Sequence, residues 1–190
     1  ICKVAGSTRG INNIIVLLKG QLEKNVEFDL QRHLLGFENG VFDSCTNQFR
    51  EYTKDDFVTM STGITYIEPE DDDEELETFF EQLTGGNEDH LKMLLHFYAS
   101  CFQAHRDASF LVYQGIGGNG KSAINQLMAH CFGEYAIGNA TPSLVTEVSS
   151  NTTGRSNVDK ASISKMRLVI MSETGQRNKA NVATIKAYTG

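Results

Sequence analysis

No stretch of this chain is long and apolar enough to cross a bilayer as a helix. The longest aliphatic run is Ile14-Ile15-Val16-Leu17-Leu18, far short of the roughly 20 residues a span requires. No membrane partner is therefore expected, and no secretory leader is visible. Cysteine is sparse. Cys2, Cys45, Cys101 and Cys131 match the spacing of neither a zinc site nor a disulfide framework, so free thiols in a reducing, intracellular compartment and a soluble protein are expected. No Ser-His-Asp set, Cys-His pair or dedicated metal cluster stands out, and there is no internal repeat. Base is missing altogether from Glu68–Asp89, which carries 11 acids. Such a run reads as a solvated linker or helix start.

The overall net charge of −7 argues against nucleic acid, but its distribution does not. Residues 1–90 hold 19 acids and 7 bases, whereas residues 91–190 hold 5 acids and 10 bases. The second half is mildly basic, which leaves contact with a phosphate backbone open. The chain opens on Ile1 and closes on Tyr188-Thr189-Gly190, and it is read as a piece of a longer polypeptide.

Apolar spacing divides the chain into elements. Residues 12–24 carry Ile14, Ile15, Leu17, Leu18 and Leu22 and predict a short helix. Leu34–Phe37 and Val41–Phe42 flank Asn39-Gly40, a hairpin signal because both turn residues tolerate positive φ. Phe49–Tyr52 and Val58–Met60 suggest two more short strands, with Thr53 and Asp56 between them resembling a one-turn helix cap. The acidic linker leads into a helix through Leu76, Phe79, Phe80 and Leu83, ended by Gly85-Gly86-Asn87. Leu91, Leu94, Leu95, Tyr98 and Phe102 mark an amphipathic helix over 88–102. Phe110–Tyr113 and Leu168–Met171 are short apolar runs that suit buried parallel strands. Between them a helical stripe, Ile124, Leu127, Met128, Cys131 and Phe132, closes at Gly133. The fold class expected is α/β: a parallel-sheet core over residues 85–190, incomplete at its C-terminus. A small mixed α+β unit over residues 1–84 precedes it.

The chemistry concentrates at Gly115-Ile116-Gly117-Gly118-Asn119-Gly120-Lys121-Ser122, which satisfies G-x-x-x-x-G-K-[ST]. Glycines let successive backbone N–H groups turn toward a phosphate without Cβ clashes. The helix beginning near Lys121 aims its positive end at the same oxygens. Lys121 would reach the β- and γ-phosphates of ATP, and the Ser122 hydroxyl would hold Mg²⁺. Such a site needs an acidic partner at the end of a neighbouring strand. Glu173, just beyond Leu168–Met171, is the only carboxylate after Asp159. It would orient or deprotonate the attacking water or hold Mg²⁺, and one acid does not separate these roles.

Several segments together resemble one family. Leu35-Gly36-Phe37-Glu38-Asn39-Gly40-Val41-Phe42-Asp43 is similar to the hairpin that precedes the motor in poxvirus-type helicase-primases, which have relatives among other large DNA viruses, phages and plasmids. Gly117–Ser122 resembles the superfamily 3 form of the P-loop. Arg167–Ile170 with Ser172-Glu173 resembles the Walker B strand, and Ile185–Gly190 the start of the B′ motif. The resemblance covers roughly residues 30–190. It implies a P-loop NTPase core of AAA+-like, parallel-sheet type, a replicative, ATP-dependent DNA helicase, a ring of six identical subunits moving 3′→5′ on single-stranded DNA, and in larger viral members an upstream primase. If the chain is viral, it implies work at the host cell's replication site. It also makes Lys186 the candidate DNA-facing lysine of the B′ segment. Arg155, Lys160 and Lys165, in or near the polar segment 141–165, are further candidates for phosphate contact, although nothing in their spacing sets them apart. The family's sensor asparagine and arginine finger lie beyond the B′ motif. Two other readings stay open: a phosphotransferase such as a nucleoside or nucleotide kinase, and a nucleotide-binding assembly module without turnover.

Overall fold

The computed structural model describes residues 7–22, 27–69, 73–103, 110–115, 117–140, 145, 163, 165–171, 179 and 181–189. Among them the chain runs α1 (Thr8–Leu22), β1 (Leu34–Phe37), β2 (Gly40–Asp43), β3 (Gln48–Arg50), α2 (Glu74–Thr84), α3 (Glu88–Gln103), α4 (Lys121–Phe132), a 3₁₀ turn (Gly133–Tyr135), β4 (Ala136–Ala140), β5 (Leu168–Met171) and α5 (Val182–Thr189). The architecture is mixed α/β with two small sheets. β1-β2-β3 form an antiparallel sheet, and β4 and β5 pair in parallel.

The helices follow their local signals. Asp73 caps α2, its carboxylate accepting from Leu76 N at 3.1 Å, and Gly85 closes it in the left-handed conformation. Asn87 accepts from the backbone of Asp89 and His90 at the start of α3. α1 forms as its periodicity predicts, yet Ile11, Ile14, Ile15, Val16, Leu17 and Leu18 all remain exposed.

The hairpin differs from its sequence signal in one respect. Phe37 pairs with Gly40, so the turn residues are Glu38 and Asn39, and neither Asn39 nor Gly40 has positive φ. Asn39 instead uses its side-chain amide, accepting from Tyr66 N at 2.8 Å and donating to Tyr66 O at 3.0 Å. Gly40 is required for close approach, because a Cβ there would meet Arg50 O and the Phe49 ring.

Two expected strands are corrected. Val58–Met60 is not a strand. Its backbone N–H groups turn to a side chain, Thr59 N and Met60 N donating to the Asp29 carboxylate at 2.7 and 3.2 Å. Phe110–Tyr113 is not a strand either. Phe110 and Val112 face solvent at 58% and 70% exposure, with only Leu111 and Tyr113 partly buried. Thr53 and Asp56 do form a turn, Asp56 N donating to Thr53 O and Thr53 N to the Asp56 carboxylate, but no helix follows. The carboxylate of Asp56 is buried and receives both Nη atoms of Arg50, at 2.7 and 2.9 Å.

One core joins these pieces. Leu35 of β1, Phe80 of α2, Leu94 and Tyr98 of α3, Ile124, Met128 and Phe132 of α4, Tyr135 and Leu168 of β5 form a single buried cluster. Each large side chain so buried stabilises the fold by about 1.5–3 kcal/mol. Polar ties reinforce the junction. The Tyr135 hydroxyl donates to Met60 O at 2.8 Å and accepts from Gly36 N at 2.9 Å. The Arg167 guanidinium donates to Phe102 O, to Leu34 O at 2.6 Å and to Arg32 O at 2.9 Å, and sits 4.9 Å from the Tyr135 ring centroid.

Candidate nucleotide site

The site begins with a helix that the sequence marks clearly. Ile124, Met128 and Phe132 recur every four residues on α4 and are buried to 0%, 8% and 0% exposure, so one apolar stripe holds the helix to the core. Its C-terminus is stopped at Gly133, which takes φ +51° while its N–H bonds to Ala129 O and His130 O. A tight turn then sends the chain into β4, and α4 packs back along that strand. A Cβ built on Gly138 would lie 3.2 Å from the Ala129 methyl. Because α4 and β4 run in opposite directions, the start of α4 lies toward the carboxyl ends of β4 and β5. That edge is where open α/β sheets gather ligands.

At this end lies the glycine-rich loop. Gly118 and Gly120 both take φ +81°, a region costly to residues with a Cβ. Gly117 and Gly118 look onto open space, with nothing within 4 Å of where a Cβ would stand. Gly120 caps α4 without any side-chain hydrogen bond, and no acid occupies the first turn. The first N–H groups of a helix lack intrahelical acceptors, so the loop and helix start together present donors and a positive dipole end. The Lys121 ammonium lies across the loop, donating to Gly115 O at 2.9 Å and to Asn119 Oδ1 at 2.6 Å. Ser122 follows on the exposed first turn of α4. Ile116 lies outside the described residues.

These groups suit an oligophosphate with a bound divalent cation. Nothing lies within 4 Å of where a Cβ would stand on Gly117 or Gly118, and the same loop and helix start carry the Lys121 ammonium, the Ser122 hydroxyl and the first N–H groups of α4. The structure brings Gly115, Gly117, Gly118, Asn119, Gly120, Lys121 and Ser122 into one short loop and helix start. Glu173 lies outside the described residues, two positions beyond the end of β5. Among the described residues no group of three or more His, Cys, Asp or Glu side chains is placed to hold a metal ion.

The other cations separate. Lys186 is exposed on α5, a helix whose start is capped by Asn181, its Oδ1 accepting from Thr184 N at 3.0 Å. Lys165 donates to Phe28 O at 3.1 Å and approaches Asp29 at 3.5 Å, so it ties the loop before β1 to the strand β5 region. Arg155 and Lys160 lie outside the described residues.

Two contributors escaped the sequence reading. Leu83, near the C-terminus of α2, stands against the phosphate loop: a Cβ on Gly120 would come to 2.8 Å from its Cδ1. Arg167 belongs to the junction that anchors α4's far end. Burial pushes its pKa below the usual arginine range, and the carbonyls around it favour the charged form. A charged residue directly before an apolar strand was a usable signal for Arg167. Nothing in the spacing around Leu83 pointed to the loop.

Comparison with known proteins adds an independent line. Residues 1–85 match the family described as D5 N terminal like. The match ends at the residue that closes α2 and does not extend to the phosphate loop. The chain is 29% identical over 167 residues to a protein named as a putative helicase in Acanthamoeba polyphaga mimivirus, covering 85% of this chain and 17% of that protein. It is 24% identical over 140 residues to a protein named as a putative helicase in Invertebrate iridescent virus 6, covering 72% of this chain and 14% of that protein. The chain therefore spans a small part of the length of the relatives it matches. No helix among the described residues is long and apolar enough to cross a membrane.

Proposed function

We propose that this chain is part of the ATP-driven motor of a viral replicative DNA helicase of the superfamily 3 type, the P-loop stretch of an AAA+-like core. The observation that carries the reading is the loop 115–122: two left-handed glycines, open space over Gly117 and Gly118, and a lysine ammonium held on Gly115 O, at the start of a helix anchored in the core. The similarity to proteins of two viruses named as putative helicases supports the helicase setting.

In this reading the backbone N–H groups of the loop and the first turn of α4 bind the phosphates of ATP. Lys121 moves its ammonium from the loop carbonyl toward the β- and γ-phosphates, where negative charge grows as the terminal phosphoryl group leaves. The Ser122 hydroxyl holds Mg²⁺, which when bound neutralises charge on those phosphates. Glu173, following β5, holds or deprotonates the attacking water or ligates Mg²⁺. Lys186 faces single-stranded DNA, and six copies of the longer polypeptide form the ring in which a neighbour supplies an arginine finger.

The test is ATP turnover of the longer polypeptide with and without single-stranded DNA. Stimulation by DNA is expected, together with loss of turnover in Lys121→Ala. Glu173→Gln should keep nucleotide binding and lose hydrolysis. Phosphate transfer to a nucleoside in place of hydrolysis would overturn the motor reading.

A further inference from the structure

We propose that Asn119 is a positioning residue for Lys121: it holds the lysine ammonium over the phosphate loop before nucleotide arrives. The proposal rests on the reading of 115–122 as a nucleotide site and adds a role that the P-loop pattern leaves unassigned, since that pattern accepts any residue at position 119.

Three observations carry it. The Lys121 ammonium is 2.6 Å from Asn119 Oδ1 and 2.9 Å from Gly115 O, so side chain and backbone grip it together. A lysine offers only donors, which turns the amide oxygen of Asn119 toward it and the amide nitrogen away. That nitrogen lies against Gly115, where an added Cβ would collide with it. The amide thus bridges the first residue of the loop and the lysine at its end. Finally, Asn119 stands between Gly118 and Gly120, both at φ +81°, and its side chain lies against Gly115, four residues back in the loop.

The consequence is pre-organisation. A lysine chain has many rotamers, and fixing it on arrival of the ligand opposes binding. With Asn119 present, part of that ordering has already occurred. Gly115 O and Asn119 Oδ1 are neutral acceptors, and an ammonium–phosphate pair, ionised on both sides, is stronger than an ammonium–carbonyl bond, so a triphosphate can take the ammonium over from them.

The experiment is Mg²⁺-ATP affinity of the full chain by fluorescent-nucleotide titration, in a cycle of Asn119→Ala, Lys121→Ala and the double variant, with thermal melts alongside. Asn119→Ala should weaken ATP binding about three- to tenfold, the effect of freeing one long side chain. In the Lys121→Ala background the same change should have no further effect, because nothing remains to position. An equal loss in both backgrounds would show that Asn119 merely shapes the loop, and unchanged or tighter binding by Asn119→Ala would show that it does not help; either overturns the proposal. Should Asn119→Ala melt early, Asn119→Asp keeps the shape while placing a carboxylate against Lys121 and the incoming phosphates. It should weaken ATP binding by about tenfold or more, and wild-type affinity in that variant also overturns the proposal. A wild-type chain with no saturable ATP binding, or a Lys121→Ala variant that binds ATP as well as wild type, points to a different failure: that of the nucleotide reading itself.

Discussion

The two ends of α4 are built on opposite plans. At its C-terminus Phe132 is fully buried and stacks on Phe102 at 4.2 Å between ring centroids, and Gly133 abuts the backbone of Thr62. Ser61 N donates to Glu134 at 2.7 Å, and the Tyr135 hydroxyl is engaged on both sides. At its N-terminus a Cβ built on Gly117 or Gly118 would meet nothing within 4 Å, and the Lys121 ammonium donates to Gly115 O and Asn119 Oδ1. One helix thus has an end immersed in the core and an end that begins in an open glycine loop. The difference teaches where substitutions should act: on stability at the first end, on binding and turnover at the second.

The largest expected effect tests the anchored end. Phe132→Ala removes a fully buried ring from the centre of the cluster and should cost about 3–5 kcal/mol in denaturant unfolding. A loss below about 1 kcal/mol would mean that the end is not anchored as described. At the open end, Lys121→Ala should lower ATP turnover of the longer polypeptide by about 10²–10³ while leaving the unfolding midpoint in place. A matching fall in stability would erase the distinction between the ends.

Gly133→Ala sharpens the contrast on the anchored side. Its φ of +51° is unfavourable to alanine, and the methyl would run into Thr62, so about 2 kcal/mol of destabilisation is expected. Gly117→Ala faces open space and should leave the melting temperature almost unchanged while weakening nucleotide binding. Equal melting shifts for these two variants would contradict the open space at Gly117.

The smallest effect lies in the antiparallel sheet region. Hydrogen bonds from the Arg50 guanidinium hold the Asp56 carboxyl down at about 2, burial opposes this, and Thr53 N adds to the lowering. A carboxyl whose folded pKa lies below its unfolded value of 3.8 contributes stability that is present above that value. The contribution is lost as pH falls from about 4 toward 2. Arg50 is 39% exposed, and water screens the pair, so about 1–2 kcal/mol is expected to disappear over that window. Asp56→Asn should flatten this part of the pH–stability curve; an unchanged slope would mean that the pair is not formed in solution.

Much of the framework was readable because its causes are local. Gly85 and Gly133 mark helix ends through left-handed geometry within a few residues. The four-residue spacing of Ile124, Met128 and Phe132 states which face of α4 is buried. β4 was not readable: Ala136-Ile137-Gly138-Asn139-Ala140 has little strand preference of its own, and pairing with β5 imposes the extended form. Phe110–Tyr113 erred the other way. Its residues favour strands, but no partner strand pairs with it among the described residues, and half of its side chains stay exposed.

By itself the sequence determined helices α1 to α4, the hairpin and the glycine-lysine pattern at 115–122, because each depends on backbone preferences and spacing within one turn or one loop. Only the tertiary structure decided that Asn39 serves through its amide rather than its φ, that Leu83 stands against Gly120, and that Arg167 and Tyr135 draw residues 32, 34, 36, 60 and 102 onto one junction. These contacts join positions far apart in the chain. Their partners are mostly backbone carbonyls and N–H groups, which every residue carries and which no side-chain pattern reveals.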